Sequence, residues 1–232
     1  MDRARPRPFE LHHQEALPHG ILAAVSIPDS PEPAPDSVVD QLRPEEREHC
    51  RGLRGYTHGQ WVGARLAAAH AARHLGVQLG PLLNDERGAP LVSPSSGLVV
   101  SISHKRDLAV ALVARASNGS IGVDIEDFAP ARMSVAERVL RPDELREVMA
   151  MPEERRWGAV VMRFSVKEAI YKALAPTLRR YIDFSEAEVS LEREGLMRVR
   201  LELAQGEPAP HLDARITWLP GRVVSTVRAR WS

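Results

Sequence analysis

The stretch from Trp157 to Pro176, WGAVVMRFSVKEAIYKALAP, constrains the fold of this chain more than any other segment. Projected at about 100° per residue, it is apolar on two sides of a helix. One apolar stripe consists of Val160, Phe164, Tyr171 and Leu174, and the other of Met162, Val166, Ala169 and Ala173. Since a helix that is apolar nearly all round belongs in a core, the stretch predicts a buried helix.

A narrow polar strip, made of Ser165, Glu168 and Lys172, separates the two stripes, and Lys167 projects into the first of them. Charged side chains in a core helix are costly unless something pairs with them. The chain has only three lysines, and two of them lie in this helix. That bias indicates a need for a compact ammonium group. An ordinary salt bridge between Glu168 and Lys172, one helical turn apart, is the alternative.

Composition limits the classes of protein to which the chain can belong. Its 232 residues allow one large domain or two small ones, and its formal net charge of zero gives no field that would attract nucleic acid or a membrane surface. A single cysteine, Cys50, excludes an internal disulfide framework and fits a reducing compartment. No apolar run approaches the ~18 residues that span a bilayer, and the N-terminal MDRARPRPFE lacks the apolar stretch of a secretory signal. These features predict a soluble, cytoplasmic protein.

The N-terminal half combines strands with helices. A buried strand is predicted at 20–27, followed by a proline-rich loop, a helix that opens at Pro44 and a helix from Thr57 to Leu75. Arg65 lies in the middle of the apolar face of the second helix, where an arginine must find an anion. Either it snorkels or pairs with an internal carboxylate, or it binds a phosphate.

Three further strands carry polar residues at their ends or along one face. Strands at 98–104 and 108–114 are joined by a short basic turn, and His104 ends the first of them. In the next strand, IGVDIEDF, Asp124 and Glu126 point to the same face. They either line a solvent-facing edge or hold a hard cation such as Mg²⁺, with Glu168 as a third oxygen ligand.

Four strands after the central helix alternate apolar and polar positions, around 188–191, 197–203, 214–218 and 223–228. Both halves of the chain therefore combine helices with antiparallel strands. The pattern predicts an α+β fold and is compatible with an old duplication.

The motifs SISH, GVDIED and FSVKEAIYKAL, in this order and spacing, closely resemble the phosphopantetheinyl transferase superfamily. The resemblance extends from about Arg51 to Leu174 and is closest to the longer single-chain type, such as the surfactin and enterobactin synthetase activators. It implies two similar, pseudo-twofold-related halves, each a small antiparallel sheet packed with helices. Residues 1–116 would form the nucleotide-binding half and 117–232 the metal-binding and catalytic half, with the active site in the cleft between them.

The resemblance also implies a function. Members of the superfamily transfer the 4′-phosphopantetheine arm of coenzyme A to a serine of an apo acyl, peptidyl or aryl carrier protein and release 3′,5′-ADP. The reaction depends on Mg²⁺, and the longer members serve polyketide or nonribosomal peptide biosynthesis. Family analogy suggests a monomer. A non-catalytic homologue that binds coenzyme A or a carrier protein is the alternative, and a different Mg²⁺-dependent enzyme acting on a pyrophosphate is a second one.

Site residues follow from the same resemblance. Asp124, Glu126 and Glu168 would hold Mg²⁺, and Lys172 would contact the phosphates. Because the carrier serine must lose its proton, we add the hypothesis that Glu168 is the general base, directly or through a metal-bound water. Residues that would bind coenzyme A are Arg65, Arg87, Gly88, Pro90, Ser103, His104 and Lys105, together with Lys172. Two explanations apply to a group of six arginines: they form a surface for the acidic carrier, or they are ordinary solvated surface residues. These arginines are Arg138, Arg141, Arg155, Arg156, Arg179 and Arg180.

One departure from the family pattern concerns the nucleotide-binding loop. The usual Gly-Lys-Pro is Gly88-Ala89-Pro90 here, so the lysine is missing. Arg87, Lys105 or Arg106 could supply the charge instead. The substitution bears on nucleotide affinity more than on the chemistry.

Overall fold

The computed structural model describes residues 7–192 and 196–231, and the chain divides into two compact units, Met1–Ser117 and Asn118–Ser232. The division falls beside the predicted boundary after residue 116. The N-terminal segment MDRARPRPFE, in which no secretory signal is predicted, is described only in part, because residues 1–6 lie outside the described residues. None of the helices in the described part of the chain has the length and apolarity that crossing a bilayer requires.

The first unit is built on a four-stranded antiparallel sheet with the strand order β1-β2-β6-β5. Its longest helix, α3, packs against β2 and β6. A separate two-stranded hairpin is formed by β3 and β4. The elements are β1 Leu11–Leu17, β2 Gly20–Ser26, α1 Asp36–Val39, α2 Pro44–Cys50, α3 Tyr56–His74, β3 Leu83–Asn84, β4 Pro90–Leu91, β5 Leu98–His104 and β6 Leu108–Arg115.

The second unit is built on a five-stranded antiparallel sheet with the order β7-β11-β10-β9-β8. Its longest helix, α6, packs against β7 and β11. The elements are β7 Ser120–Asp127, α4 Ala136–Val139, α5 Pro142–Met149, α6 Glu153–Leu178, β8 Ala187–Leu191, β9 Leu196–Leu201, β10 His211–Leu219 and β11 Arg222–Arg230. An α+β fold, with an antiparallel sheet and packed helices in each unit, is thus confirmed, whereas the pseudo-twofold relation stays a prediction.

Helix α6 is the buried helix predicted from the apolar stripes, extended at its N-terminus to Glu153 and past Pro176 to Leu178 at its C-terminus. Its apolar residues form the core of the second unit together with the strands β8 to β11. The helix lies directly on β7, because a Cβ atom at Gly122 would overlap the carbonyl oxygen of Ala169 and lie 2.8 Å from the backbone nitrogen of Ala173. Glycine is therefore required at 122, since any side chain would push the helix off the strand.

The two units share a local construction that ties a short helix to the long one. In the first unit, Glu46 of α2 accepts the backbone N–H of Arg43 at 2.9 Å and that of Leu82 at 2.8 Å. Arg65 of α3 donates through Nε to the carbonyl oxygen of the same Leu82 at 2.9 Å. The backbone of Leu82 thus links Glu46, which caps α2, to the buried Arg65 of α3.

The second unit repeats the construction. Glu144 of α5 accepts the backbone N–H of Arg141 at 2.7 Å and that of Val189 at 2.7 Å. Arg163 of α6 donates through Nε to the carbonyl oxygen of Val189 at 3.0 Å. These four charged side chains, Glu46, Arg65, Glu144 and Arg163, are each at most 5% exposed.

Most of the elements agree with the sequence predictions, but three strands were missed. β1, with the sequence LHHQEAL, pairs with β2 at the edge of the sheet. It was not predicted because four of its seven residues are polar and no apolar alternation marks it as a strand. β3 and β4 are only two residues long each and lie in a segment rich in turn residues, which the pattern predicts as a loop. Cys50 is buried, and its Sγ donates to the carbonyl oxygen of Arg47 at 3.3 Å.

We expect the substitution Gly122→Ala to destabilise the protein by at least about 2 kcal/mol, because the new methyl group overlaps the backbone of α6. Gly158→Ala is a matched control on α6, where the nearest heavy atom to a new Cβ is 3.9 Å away. Alanine there should stabilise by up to about 1 kcal/mol through helix propensity. Urea unfolding of both variants measures the difference, and equal effects would contradict the close approach of α6 to β7.

Candidate active site

The polar strip of α6 faces the two carboxylates of β7. Lys172 Nζ donates to Asp124 Oδ1 at 2.8 Å and to the carbonyl oxygen of Val123 at 3.0 Å. The lysine side chain is 26% exposed and the aspartate side chain 6%. The structure therefore brings Lys172 directly onto one of the predicted metal ligands.

The burial of Asp124 decides between the two explanations of the strand's carboxylates. Gly122, Asp124 and Glu126 alternate onto one face of β7, and α6 covers that face at Gly122. Asp124 is only 4% exposed and Glu126 is half-buried, although β7 is an edge strand. A solvent-facing edge is therefore wrong for Asp124, whose charge is instead balanced by the ammonium group of Lys172.

Glu168 lies one helical turn before Lys172 on α6, so their Cβ atoms are ~5–6 Å apart. The side chain is half-buried. Burial chiefly raises the pKa of Tyr181, and the negative charges of Asp183 and Glu168 raise it further, while Arg138 lowers it. The Tyr181 ring is 63% exposed, and its centre lies 5.6 Å from that of the Tyr171 ring.

The predicted Mg²⁺ ligands fit the metal by type. Mg²⁺ prefers carboxylate oxygens and usually takes only one or two of them, with waters and substrate phosphates completing its shell. Asp124 and Glu126 lie on one strand face, and Glu168 lies on the helix that covers it. Among the described residues, no three side chains of histidine, cysteine, aspartate or glutamate are already gathered into a metal site. The metal assignment of the three carboxylates stays a prediction.

Lys167, the other lysine of α6, has an internal partner. Its Nζ donates to Glu144 Oε2 at 2.6 Å, to the carbonyl oxygen of Val139 at 2.9 Å and to that of Phe184 at 3.1 Å. The side chain is 1% exposed, and burial lowers the pKa of the lysine. Lys167 thus joins α6 to α5 and to the segment after α6, and the three acceptors account for its place in an apolar stripe.

Arg65 also has internal partners. Besides its bond to Leu82, its guanidinium donates through NH2 to Asn84 Oδ1 and lies 3.8 Å from the centre of the Trp61 ring. It is 3% exposed, and burial lowers the pKa of the arginine to about 10. The geometry agrees with an internally paired arginine: a carbonyl and an amide oxygen accept its hydrogen bonds, and the negative charge of Glu46 partly offsets the effect of burial on its pKa. The phosphate-binding role stays a prediction.

The predicted nucleotide loop forms the tip of the β3–β4 hairpin. Asp85 Oδ1 accepts the backbone N–H of Arg87 and that of Ala89, each at 2.9 Å. Gly88 has a φ of +82°, a conformation that favours glycine. Arg87 is exposed at this tip, and Pro90 pairs with Asn84 in the hairpin. The structure thus gathers Arg87, Gly88 and Pro90 into one small element.

The residues of SISH end β5. Ser103 is buried beside β6, His104 is exposed, and Lys105 follows in a turn closed by its backbone N–H and the carbonyl oxygen of Leu108 at 2.8 Å. In the same turn Arg106 lies 4.9 Å from the centre of the Tyr56 ring. This contact holds the basic turn near the first residue of α3. Ser103 and His104 therefore end the strand beside a basic turn that contains Lys105, and the binding of coenzyme A by these residues stays a prediction.

Half of the arginines proposed for a carrier surface have internal partners. Arg141 donates to Glu202 and to the carbonyl oxygen of Ser185, and Arg156 to the carbonyl oxygen of Met151. Arg180 is held by two carboxylates, those of Glu186 and Glu207. Exposed positions are left to Arg138, Arg155 and Arg179.

The sequence held an unused signal for the buried ion network. The segments RPEE, from Arg43 to Glu46, and RPDE, from Arg141 to Glu144, are near-copies. Each opens a short helix with proline at its start and a capping box closed by the last glutamate. A buried arginine follows each segment after the same number of residues. Comparing the two halves at this spacing would have predicted Arg65 and Arg163 as equivalent residues.

Two protein-family models match the chain. One, described as the 4′-phosphopantetheinyl transferase superfamily, matches residues 120–223. The other, described as the 4′-phosphopantetheinyl transferase N-terminal domain, matches residues 58–114.

Individual relatives carry the same description. The 4′-phosphopantetheinyl transferase Svp of Streptomyces mobaraensis is 34% identical over 182 residues, which cover 72% of this chain and 69% of Svp. The 4′-phosphopantetheinyl transferase PptT of Mycobacterium tuberculosis is 27% identical over 175 residues, or 75% of this chain and 73% of PptT. Among solved structures, a holo-(acyl-carrier-protein) synthase of Bacillus anthracis in complex with CoA (3′,5′-ADP) has a TM-score of 0.40 at 21% identity, covering 49% of this chain and 96% of that one.

We expect the Arg180–Glu186 pair to make stability depend on pH in the acid range. Hydrogen bonds from Arg180 lower the pKa of Glu186 from about 4.5 to about 2. The stabilisation by this carboxylate is therefore complete above pH ~4.5 and is lost as the pH falls through about 2.

Thermal melts of the wild type and Glu186→Gln across this range measure the effect. The wild type should be the more stable at neutral pH, and the gap between the two melting temperatures should narrow as the pH falls. Glu32→Gln, at an exposed position in the loop between β2 and α1, is the control and should follow the wild type. A gap that stays constant down to pH 2 would contradict the role of the pair.

Proposed function

Because the chain belongs to the 4′-phosphopantetheinyl transferase superfamily, we propose that it transfers the 4′-phosphopantetheine arm of coenzyme A to a serine of an apo carrier protein. The observation that carries the proposal is the contact between Lys172 and Asp124. It joins the motif FSVKEAIYKAL of α6 to the motif GVDIED of β7 in one site. The two motifs are far apart in the sequence, and packing of α6 on β7 brings them together.

The reaction joins the serine oxygen of the carrier to the phosphorus that bears the pantetheine arm. The bond from that phosphorus to the bridging oxygen breaks, and 3′,5′-ADP leaves. Positioning and charge stabilisation supply most of the rate in such a transfer. The chain must therefore hold the pyrophosphate, remove the serine proton and offset the negative charge that develops on the leaving group.

Lys172 is placed to offset negative charge. Its ammonium is partly exposed, and it is oriented by Asp124 and the carbonyl oxygen of Val123. A pyrophosphate oxygen at this group would gain a charge-assisted hydrogen bond. Asp124, Glu126 and Glu168 would hold Mg²⁺, whose contribution when bound is neutralisation of charge on the pyrophosphate.

Glu168 is the proposed general base. It lies one turn from Lys172, so a carboxylate and an ammonium flank the same site. The carboxylate would accept the serine proton, directly or through a water, as the serine oxygen attacks. Its half-buried position leaves it reachable by a substrate hydroxyl.

The residues of the first unit would bind the nucleotide end of coenzyme A. Arg87 and Lys105 supply positive charge, and Ser103 and His104 supply hydrogen-bonding groups. Arg87 is exposed at the hairpin tip, where Gly88 and Pro90 shape the loop. The positive charge of Arg87 and Lys105 would take the place of the lysine in the family pattern, where this chain has Ala89.

The finer identity of the partner rests on similarity. The relatives named above are phosphopantetheinyl transferases, and the carrier of this chain would be an acyl, peptidyl or aryl carrier protein. Arg138, Arg155 and Arg179 are the exposed arginines that could face an acidic carrier. A monomeric state and a cytoplasmic location complete the proposal.

Intact mass of an apo peptidyl carrier protein, measured after incubation with this protein, coenzyme A and Mg²⁺, tests the function. We expect a gain of one phosphopantetheine that EDTA abolishes and that excess Mg²⁺ restores. No gain with acyl, peptidyl and aryl carriers, while coenzyme A still binds, would establish the alternative of a non-catalytic binding homologue.

We expect Glu168→Gln to lower turnover by about 100-fold or more, since proton transfer by a positioned carboxylate contributes that much. Glu154→Gln, exposed on the same helix, should keep wild-type turnover. Raising Mg²⁺ separates the two roles of Glu168, because recovery at high Mg²⁺ would indicate a lost ligand and not a lost base. Near-normal turnover of Glu168→Gln with Mg²⁺ bound would overturn the base assignment.

A further inference from the structure

The buried arginine of each unit has a second partner, and this partner differs between the units. Arg163 donates through NH2 to Glu147 Oε2 at 2.8 Å, a residue of α5. Arg65 donates through NH2 to Asn84 Oδ1, a residue of the hairpin strand β3. The NH2 group of the buried arginine therefore binds a helix, α5, in the second unit and the β3–β4 hairpin in the first.

The sequence explains this difference. Glu147 stands three residues after Glu144, and the residue three positions after Glu46 is His49. His49 offers no carboxylate, and its ring lies 5.0 Å from that of Trp61 in a stacked arrangement. The Arg65 guanidinium lies against the same indole, 3.8 Å from its centre. With no acidic partner on α2 at that position, the fork of Arg65 reaches the hairpin instead.

The hairpin needs such an anchor because its own strands are short. Its ladder consists of two residue pairs, Leu83 with Leu91 and Asn84 with Pro90. Proline has no N–H to donate, so the second pair is weaker than an ordinary one. Asn84 lies next to Asp85, whose backbone N–H donates to the carbonyl oxygen of Ala89 at 2.9 Å. A two-stranded hairpin this small is not stable by itself.

We propose that Arg65 is a positioning residue, which holds the β3–β4 hairpin through Leu82 and Asn84 and so fixes the loop that carries Arg87. Through this loop, Arg65 would affect the affinity of the protein for coenzyme A. That the loop binds the nucleotide of coenzyme A rests on the proposed function. That Arg65 anchors the hairpin rests only on the hydrogen bonds to Leu82 and Asn84. Lysine cannot replace the arginine, because a single ammonium lacks the planar fork that reaches both acceptors.

Hydrogen exchange of the full-length protein without coenzyme A tests the anchoring directly. Arg65→Lys should speed exchange of the Asp85 and Ala89 amides about three- to tenfold, as expected for the loss of one hydrogen bond. Asn84→Ala should give the same result, and the double variant should add little to either. Arg163→Lys is the matched control and should leave exchange of the hairpin unchanged.

Kinetics with coenzyme A and an apo peptidyl carrier protein provide the second measurement. Arg65→Lys and Asn84→Ala should each raise KM for coenzyme A about three- to tenfold and change kcat less than about twofold, because only positioning of the loop is altered. Agreement between the two variants is the decisive feature, since the Asn84 side chain serves here as the acceptor for Arg65.

Two outcomes would overturn the proposal. A raised KM in Arg65→Lys with unchanged hairpin exchange would assign Arg65 to direct phosphate contact. Unchanged exchange in Asn84→Ala would show that the Arg65–Asn84 bond does not anchor the loop, and this variant decides the question even if Arg65→Lys fails to fold. If the wild type transfers no phosphopantetheine, the proposed function fails, while the exchange measurement still tests the anchor.

Discussion

The close approach of α6 to β7 is the constraint on which the second unit depends. It is possible only because Gly122 has no side chain where the backbone of Ala169 and Ala173 lies. The helix that meets the strand there also carries the polar strip of Glu168 and Lys172. Consequently, Lys172 of α6 reaches Asp124 of β7, and the carboxylates of the strand and the ammonium group of the helix lie in one site. A looser packing would separate these charges and leave a buried aspartate without its cation, which is costly.

A second constraint is the repeated link between a short acidic helix and a long core helix. In each unit a glutamate caps its own helix and accepts a distant backbone N–H, and an arginine donates to the carbonyl of that same distant residue. Both charges are buried, yet each makes at least two hydrogen bonds, and such bonding is the condition under which buried ions are tolerated. The repetition of this arrangement in both halves agrees with an origin by duplication, and it gives the two long helices the same attachment.

The two long helices nevertheless carry different chemistry at equivalent positions. Counting from the buried arginine, the residues that match Glu168 and Lys172 of α6 are His70 and His74 of α3. Burial lowers the pKa of His70. Neither of the two positions of α3 therefore carries the carboxylate or the ammonium group that α6 has there. The matching strand, β2, carries apolar residues where β7 carries carboxylates. The paired carboxylates and the ammonium are therefore a property of the second unit, while the first presents a basic turn and the hairpin with Arg87.

The sequence by itself determined the order and type of nearly all helices and strands, the buried nature of α6 and the residue types of the candidate site, because periodicity and short motifs are local properties. It did not determine β1 or the short hairpin, whose residues lack a strand pattern, or the four-residue helix α1, which directly follows the proline-rich loop. Only the tertiary structure decided which groups meet: Lys172 with Asp124, Lys167 with Glu144, and Arg65 with Leu82 and Asn84. These partners lie 17 to 48 residues apart along the chain. Their pairing depends on how helices pack on sheets, and a buried charge takes whichever acceptor that packing places within reach.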